Sequence, residues 1–109
     1  MPREISAPEL AAKLRSGSPP LLVDIREPWE REIARLPGDR HVPLDELPRR
    51  AAELKPPEGA SLVLYCHAGV RSWMAAEYLE HQEGLKDVVS LGGGIDAWSC
   101  LVDPAVPRY

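Results

Sequence analysis

Three short runs along the chain are apolar at nearly every position: Leu21–Ile25, Ser61–Tyr65 and Val88–Leu91. Turn-forming residues bound each of them. Gly17-Ser18-Pro19-Pro20 precedes the first, Pro56 to Gly59 precedes the second, and Gly92-Gly93-Gly94 follows the third. Runs of this length between turn signals read as buried strands. His41-Val42 reads as a further brief strand. Between the runs the spacing turns helical. Ser6 to Arg15 opens on a capping box, Ser6 with Glu9, has Pro8 in its first turn, and puts Leu10 and Leu14 on one face. Glu27 to Arg35 is a short acidic helical turn closed by Pro37-Gly38. Leu44 to Leu54 carries Leu47, Ala51 and Leu54 on one stripe. A helix from near Arg71 to about Gln82 turns Ala75, Ala76 and Leu79 inward and stops at Gly84. Ile95 to Cys100 forms a last short helix, and the proline-rich tail, Val102 to Tyr109, is expected to run extended.

Strands alternating with helices predict an α/β fold with a mostly parallel central sheet flanked by helices. The 109 residues suit a single domain, 1–109, and the twelve prolines punctuate segments rather than forming a tract. A net charge of −4 argues against a nucleic-acid partner. The apolar runs are too short to cross a membrane. Met1 to Ile5 lacks the apolar stretch of a signal peptide, so a cytoplasmic location is expected. In that setting the two cysteines, Cys66 and Cys100, are not expected to depend on a disulfide.

Reactive groups of parallel sheets sit just past the carboxyl ends of strands, where Cys66 stands. A cysteine at the end of a buried strand is more often an inert core residue, but the flanking residues here argue otherwise. Gly69 lets the backbone curl with its N–H groups inward. The helix beginning near Arg71 offers its free N–H groups and the positive end of its dipole. Such a ring is an anion cradle that favours a thiolate, and Arg71 adds a fixed positive charge.

Cys66-His67-Ala68-Gly69-Val70-Arg71-Ser72 resembles the active-site loop of the rhodanese family. Leu22 to Glu30 looks like that family's first motif. Leu36-Pro37-Gly38 with His41 to Leu44 looks like its middle turn and strand, and Leu91 to Trp98 like its closing motif. Asp39-Arg40, where an apolar and a small residue are usual, and the third glycine, Gly92, depart from the pattern. The tail is similar to those of small bacterial single-domain members. The resemblance implies a sulfurtransferase with Cys66 as catalytic nucleophile. His67, Ala68, Gly69, Val70 and Arg71 would bind substrate, with Asp24 and Ser72 in support. It implies a small sulfur donor such as thiosulfate, an acceptor that is cyanide, a thiol or a protein thiol, and no metal or organic cofactor. A protein-to-protein sulfur carrier and a non-catalytic binding module are the alternatives. A phosphatase or arsenate reductase of related fold is disfavoured, because those loops are one residue longer.

Individual residues also have structural readings. Arg71 pairs with Glu77 or Asp24 if it is not an anion ligand. His67 either tunes the anion or is solvated. Asp24 braces the loop or Arg26. Trp73 walls the pocket or packs, whereas Trp29 and Trp98 are expected to pack within their motifs. Cys100, without a cradle, is a bystander or a resolving thiol. His41, His67 and His81 have no metal-ligand spacing with either cysteine.

Overall fold

The apolar runs become strands because both of their faces are covered, which is the usual state of a parallel sheet. The computed structural model describes residues 3–109. Its elements are β1 (Arg3–Ile5), α1 (Ala7–Leu14), β2 (Leu21–Asp24), α2 (Pro28–Ile33), β3 (Arg40–His41), α3 (Leu47–Arg50), β4 (Leu62–Tyr65), α4 (Val70–Gln82), β5 (Val88–Leu91) and α5 (Gly94–Leu101). Single 3₁₀ turns, Leu44–Glu46 and Ala51–Glu53, flank α3. The five strands lie in the order β1-β5-β4-β2-β3. Every pairing is parallel, with Asp24 opposite Tyr65 and Leu64 opposite Ser90.

Alternation along the strands feeds two cores. Leu22, Val63, Tyr65, Val89 and Leu91 pack with Leu10 of α1 and with Ile95 and Trp98 of α5. Val23, Leu62, Leu64 and Val88 pack on the other face with Leu47, Leu54, Ala75, Ala76 and Leu79. Cys66 continues the second set, two residues beyond Leu64, so the pleat turns its side chain beneath α4.

Three expectations need correction. The predicted helix 44–54 is broken into a 3₁₀ turn, one α turn and another 3₁₀ turn. Pro48 sits in the first turn of α3 and has no N–H to bond back to Leu44 C=O, so an α-helical ladder cannot run on from Leu44 and starts afresh at Leu47. The brief strand falls on Arg40–His41, one residue earlier than expected. The tail does not run extended. Val106 N–H bonds Asp103 C=O at 3.1 Å, and Val102 and Val106 pack against the α1–α5 core.

Strand order places the site. From β2 the chain moves outward to β3, and from β4 it moves outward the other way to β5. The carboxyl ends of β2 and β4 therefore flank a crevice where the sheet changes direction. Residues 25–30 follow one strand and Cys66–Arg71 the other.

Candidate active site

The Cys66 loop is held from outside by α5. Ile95 N–H donates to Cys66 C=O at 2.9 Å and Asp96 N–H to His67 C=O at 3.1 Å. Both carbonyls are thereby tied to α5 and taken away from the sulfur. This contact needs Gly94, which has φ +60°; a Cβ there would lie 2.3 Å from His67 O and 2.5 Å from Cys66 O. Gly69, at φ +100°, turns the chain into α4, and a Cβ on it would meet Gly93 N at 3.0 Å. The closing glycines and the cysteine loop are thus two halves of one structure.

Within the loop the Cys66 side chain is buried, with only 1% of the residue exposed. Its Sγ accepts hydrogen bonds from Gly69 N–H at 3.2 Å and Ser72 N–H at 3.3 Å, and lies 3.5 Å from Ser72 Oγ. The N–H groups of His67, Ala68, Val70 and Arg71 have no acceptor among the described residues. A ring of donors around one sulfur, at the N-terminus of a thirteen-residue helix, can stabilise a thiolate and an anion bound above it.

A charged network forms the wall from β2. Asp24 accepts from Arg26 Nε and Nη2, both at 2.9 Å, from the Arg26 backbone N–H at 2.9 Å, and from Arg31 Nη1 at 3.0 Å. Arg26 is fully buried and also donates to Ala34 C=O and to Tyr109 Oη. Arg31 makes a two-pronged pair with Asp39, which in turn accepts from Tyr65 Oη at 2.5 Å. Burial then raises the Tyr65 phenol, and the neighbouring Asp24 and Asp39 charges raise it further.

Glu30 joins this wall to the loop. Its carboxylate receives Arg71 Nη1 at 2.8 Å and Nη2 at 2.9 Å, Tyr109 Oη at 2.6 Å and the Glu27 N–H at 3.0 Å. Burial alone would raise the Glu30 carboxyl, but these donors outweigh it and hold it down at about 2. Arg71 is raised by the same pair, principally through its hydrogen bonds to Glu30. The Tyr109 ring lies 4.2 Å from the His67 ring, and burial and Glu30 push its phenol up to about 12.

Comparison with known proteins adds identity to this geometry. The model of the rhodanese-like domain matches residues 6–100. The chain belongs to the rhodanese-like family. A sulfurtransferase of Allochromatium vinosum is 37% identical over 99 residues, covering 91% of this chain and 90% of that protein. The chloroplastic rhodanese-like/PpiC domain-containing protein 12 of Arabidopsis thaliana is 38% identical over 113 residues; the match covers 98% of this chain but 37% of the plant protein. The crystal structure of a rhodanese-like domain protein from Staphylococcus aureus superposes with a TM-score of 0.81 at 29% identity, covering 98% of both chains.

In this rhodanese-like domain the loop residues named from sequence lie together: Cys66, Gly69 and Ser72 meet at the sulfur, and His67, Ala68, Val70 and Arg71 complete the same loop. Arg71 pairs with Glu30, not with Glu77 or Asp24. Asp24 braces Arg26 rather than the loop. Trp98 packs as expected, but Trp29 is 57% exposed, with Tyr109 across an edge-to-face distance of 6.1 Å. The side chain of Trp73 is half-buried, and Cys100 is exposed and free. The Asp39-Arg40 departure has a local reason, since Asp39 is the acceptor for Arg31 and Tyr65. Sequence reasoning missed Glu30, Ser90 and Tyr109. Only Glu30 carried a signal, as the third helical residue after Glu27 in a capping pattern.

Proposed function

We propose that this chain is a sulfurtransferase that carries a sulfane sulfur as a persulfide on Cys66, from a donor such as thiosulfate to cyanide or to a thiol, including a protein thiol. The observation that carries the proposal is the Cys66 Sγ held by Gly69 and Ser72 N–H groups, with four further loop N–H groups open beside it. The sulfurtransferase from Allochromatium vinosum, matched over nearly its whole length, supports the same reading.

In the first half-reaction the Cys66 thiolate attacks the outer sulfur of thiosulfate. An S–S bond forms to Cys66, the S–S bond of the donor breaks, and sulfite leaves with the electron pair. The outer sulfur of the persulfide then lies among the open N–H groups, which stabilise it as an oxyanion hole stabilises oxygen. In the second half-reaction the acceptor attacks that outer sulfur and the Cys66 thiolate is the leaving group. Arg71 borders the loop, and its pair with Glu30 fixes the guanidinium there for an approaching anion.

Thiocyanate formation from thiosulfate and cyanide tests the proposal. It is expected in the wild-type protein, largely retained in Cys100→Ser and lost in Cys66→Ser. Faster hydrolysis of an aryl phosphate than thiocyanate formation, with that hydrolysis lost in Cys66→Ser, would replace the proposal with a phosphatase.

A further inference from the structure

Ser90 is a hydroxyl in an otherwise apolar strand. It lies on the face of β5 that carries Val88, beneath α4, and has no solvent exposure. Its Oγ stands 2.7 Å from Ser72 Oγ, which is equally buried. No other partner of the Ser90 hydroxyl exists among the described residues. Ser72 Oγ has further neighbours: Gly69 C=O at 3.3 Å and Cys66 Sγ at 3.5 Å.

Counting protons fixes the direction of the pair. Each hydroxyl has one proton to give and can accept. If Ser72 donated to Ser90, the Ser90 proton would be buried without an acceptor, and Ser72 would have nothing for the sulfur. If Ser90 donates to Ser72, both protons find acceptors, as buried polar groups require. The Ser72 proton is then free to turn. With Cys66 as a thiol, S–H donates to Ser72 Oγ and Ser72 donates to Gly69 C=O. With Cys66 as a thiolate, Ser72 O–H turns to the sulfur, because a charged acceptor makes the stronger bond. Ser90 donates to Ser72 in both states, and its donation polarises the Ser72 O–H.

We propose that Ser90 is a positioning residue that aims the Ser72 hydroxyl at Cys66, adding a third donor to the two N–H groups when the sulfur carries charge. The inference rests on the persulfide reading for its place in the reaction. When an acceptor takes the outer sulfur, the Cys66 Sγ–S bond breaks and its electron pair stays on Sγ. Ser72 then meets that charge with a hydrogen bond, and no proton is transferred.

The test is a double-mutant cycle of Ser90→Ala and Ser72→Ala, read in two single-turnover rates. One is discharge of a preformed persulfide by cyanide; the other is alkylation of Cys66 by iodoacetamide at mildly acidic pH. Ser90→Ala is expected to slow both by roughly three- to tenfold, the range of one hydrogen bond. The double variant is expected to be no slower than Ser72→Ala alone, since Ser90 acts through Ser72. Ser90→Thr keeps the hydroxyl and is expected to retain the wild-type rates, with urea unfolding verifying that each variant is folded. Wild-type rates in folded Ser90→Ala, or losses that simply multiply in the double variant, would overturn the inference. A wild-type protein that takes up no sulfur would instead overturn the persulfide reading, while the alkylation cycle would still decide the role of Ser90.

Discussion

Replacing Glu30 by Gln removes one charge at the joint between the β2 wall and the cysteine loop, and its effect on stability has a defined pH dependence. The Glu30 carboxyl has an ordinary value of 4.5 and is held at about 2 in the fold. Its side chain is only 3% exposed, so solvent screens the interaction little. The depression corresponds to about 3 kcal/mol of folding free energy. Because the folded value lies below the unfolded one, this stabilisation is fully present above pH 4.5 and is lost as pH falls toward 2. Glu30→Gln keeps the shape, but its amide offers a single acceptor oxygen where Arg71, Tyr109 and Glu27 donate to two. Near neutrality the variant should be less stable by about 3 kcal/mol. The gap should narrow on acidification, by up to about 1.4 kcal/mol for each pH unit once the unfolded carboxyl is protonated and the folded one is not. Urea unfolding of both proteins over a series of pH values measures this directly, since the other carboxylates are common to both. Parallel stability curves would mean that Glu30 binds its proton equally in the folded and unfolded chain, and the reasoning would fail.

Gly94→Ala should destabilise the protein by about 1–3 kcal/mol or more and abolish sulfur transfer, because the new Cβ would meet the carbonyls of Cys66 and His67. Thermal unfolding together with the thiocyanate assay checks this, and full activity would refute the α5 support of the loop. Arg71→Ala should lower kcat/KM for thiosulfate by roughly ten- to a hundredfold while leaving the chain folded; unchanged constants would make Arg71 purely structural. Tyr109→Phe deprives buried Arg26 of an acceptor and Glu30 of a donor, and should cost about 1–3 kcal/mol in urea unfolding. Unchanged stability would mean that the tail is held by Val102, Val106, the aromatic ring at position 109 and the Arg108–Asp96 pair without the hydroxyl.

What could be read from sequence follows from how local each feature is. The strands β2, β4 and β5 announced themselves because both faces are buried. β1 did not, since Arg3 and Glu4 are exposed and only Ile5 enters the core. The cysteine cradle was legible because strand, glycine and helix start are contiguous in the chain. Its supports were not. Glu30 stands 41 residues before Arg71, and Tyr109 stands 79 residues after Glu30; they meet only because β2 pairs with β4 and the tail turns back at Asp103. Ser90 read as part of an apolar run, and its contact with Ser72, a residue the loop motif had already named, became visible only through the alignment of β5 beneath α4. Trp29 was misplaced for a similar reason. A tryptophan inside a motif suggests packing, but here it lies on the exposed side of a six-residue helix whose buried residue is Glu30.

The central claim is that Cys66 takes up one sulfur atom, and the intact mass of the protein after exposure to thiosulfate tests it most directly. The account predicts a gain of a single sulfur atom in the wild-type protein and in Cys100→Ser, reversed by cyanide, and no gain in Cys66→Ser. Uptake that persists in Cys66→Ser, or that maps to the exposed Cys100, would contradict it.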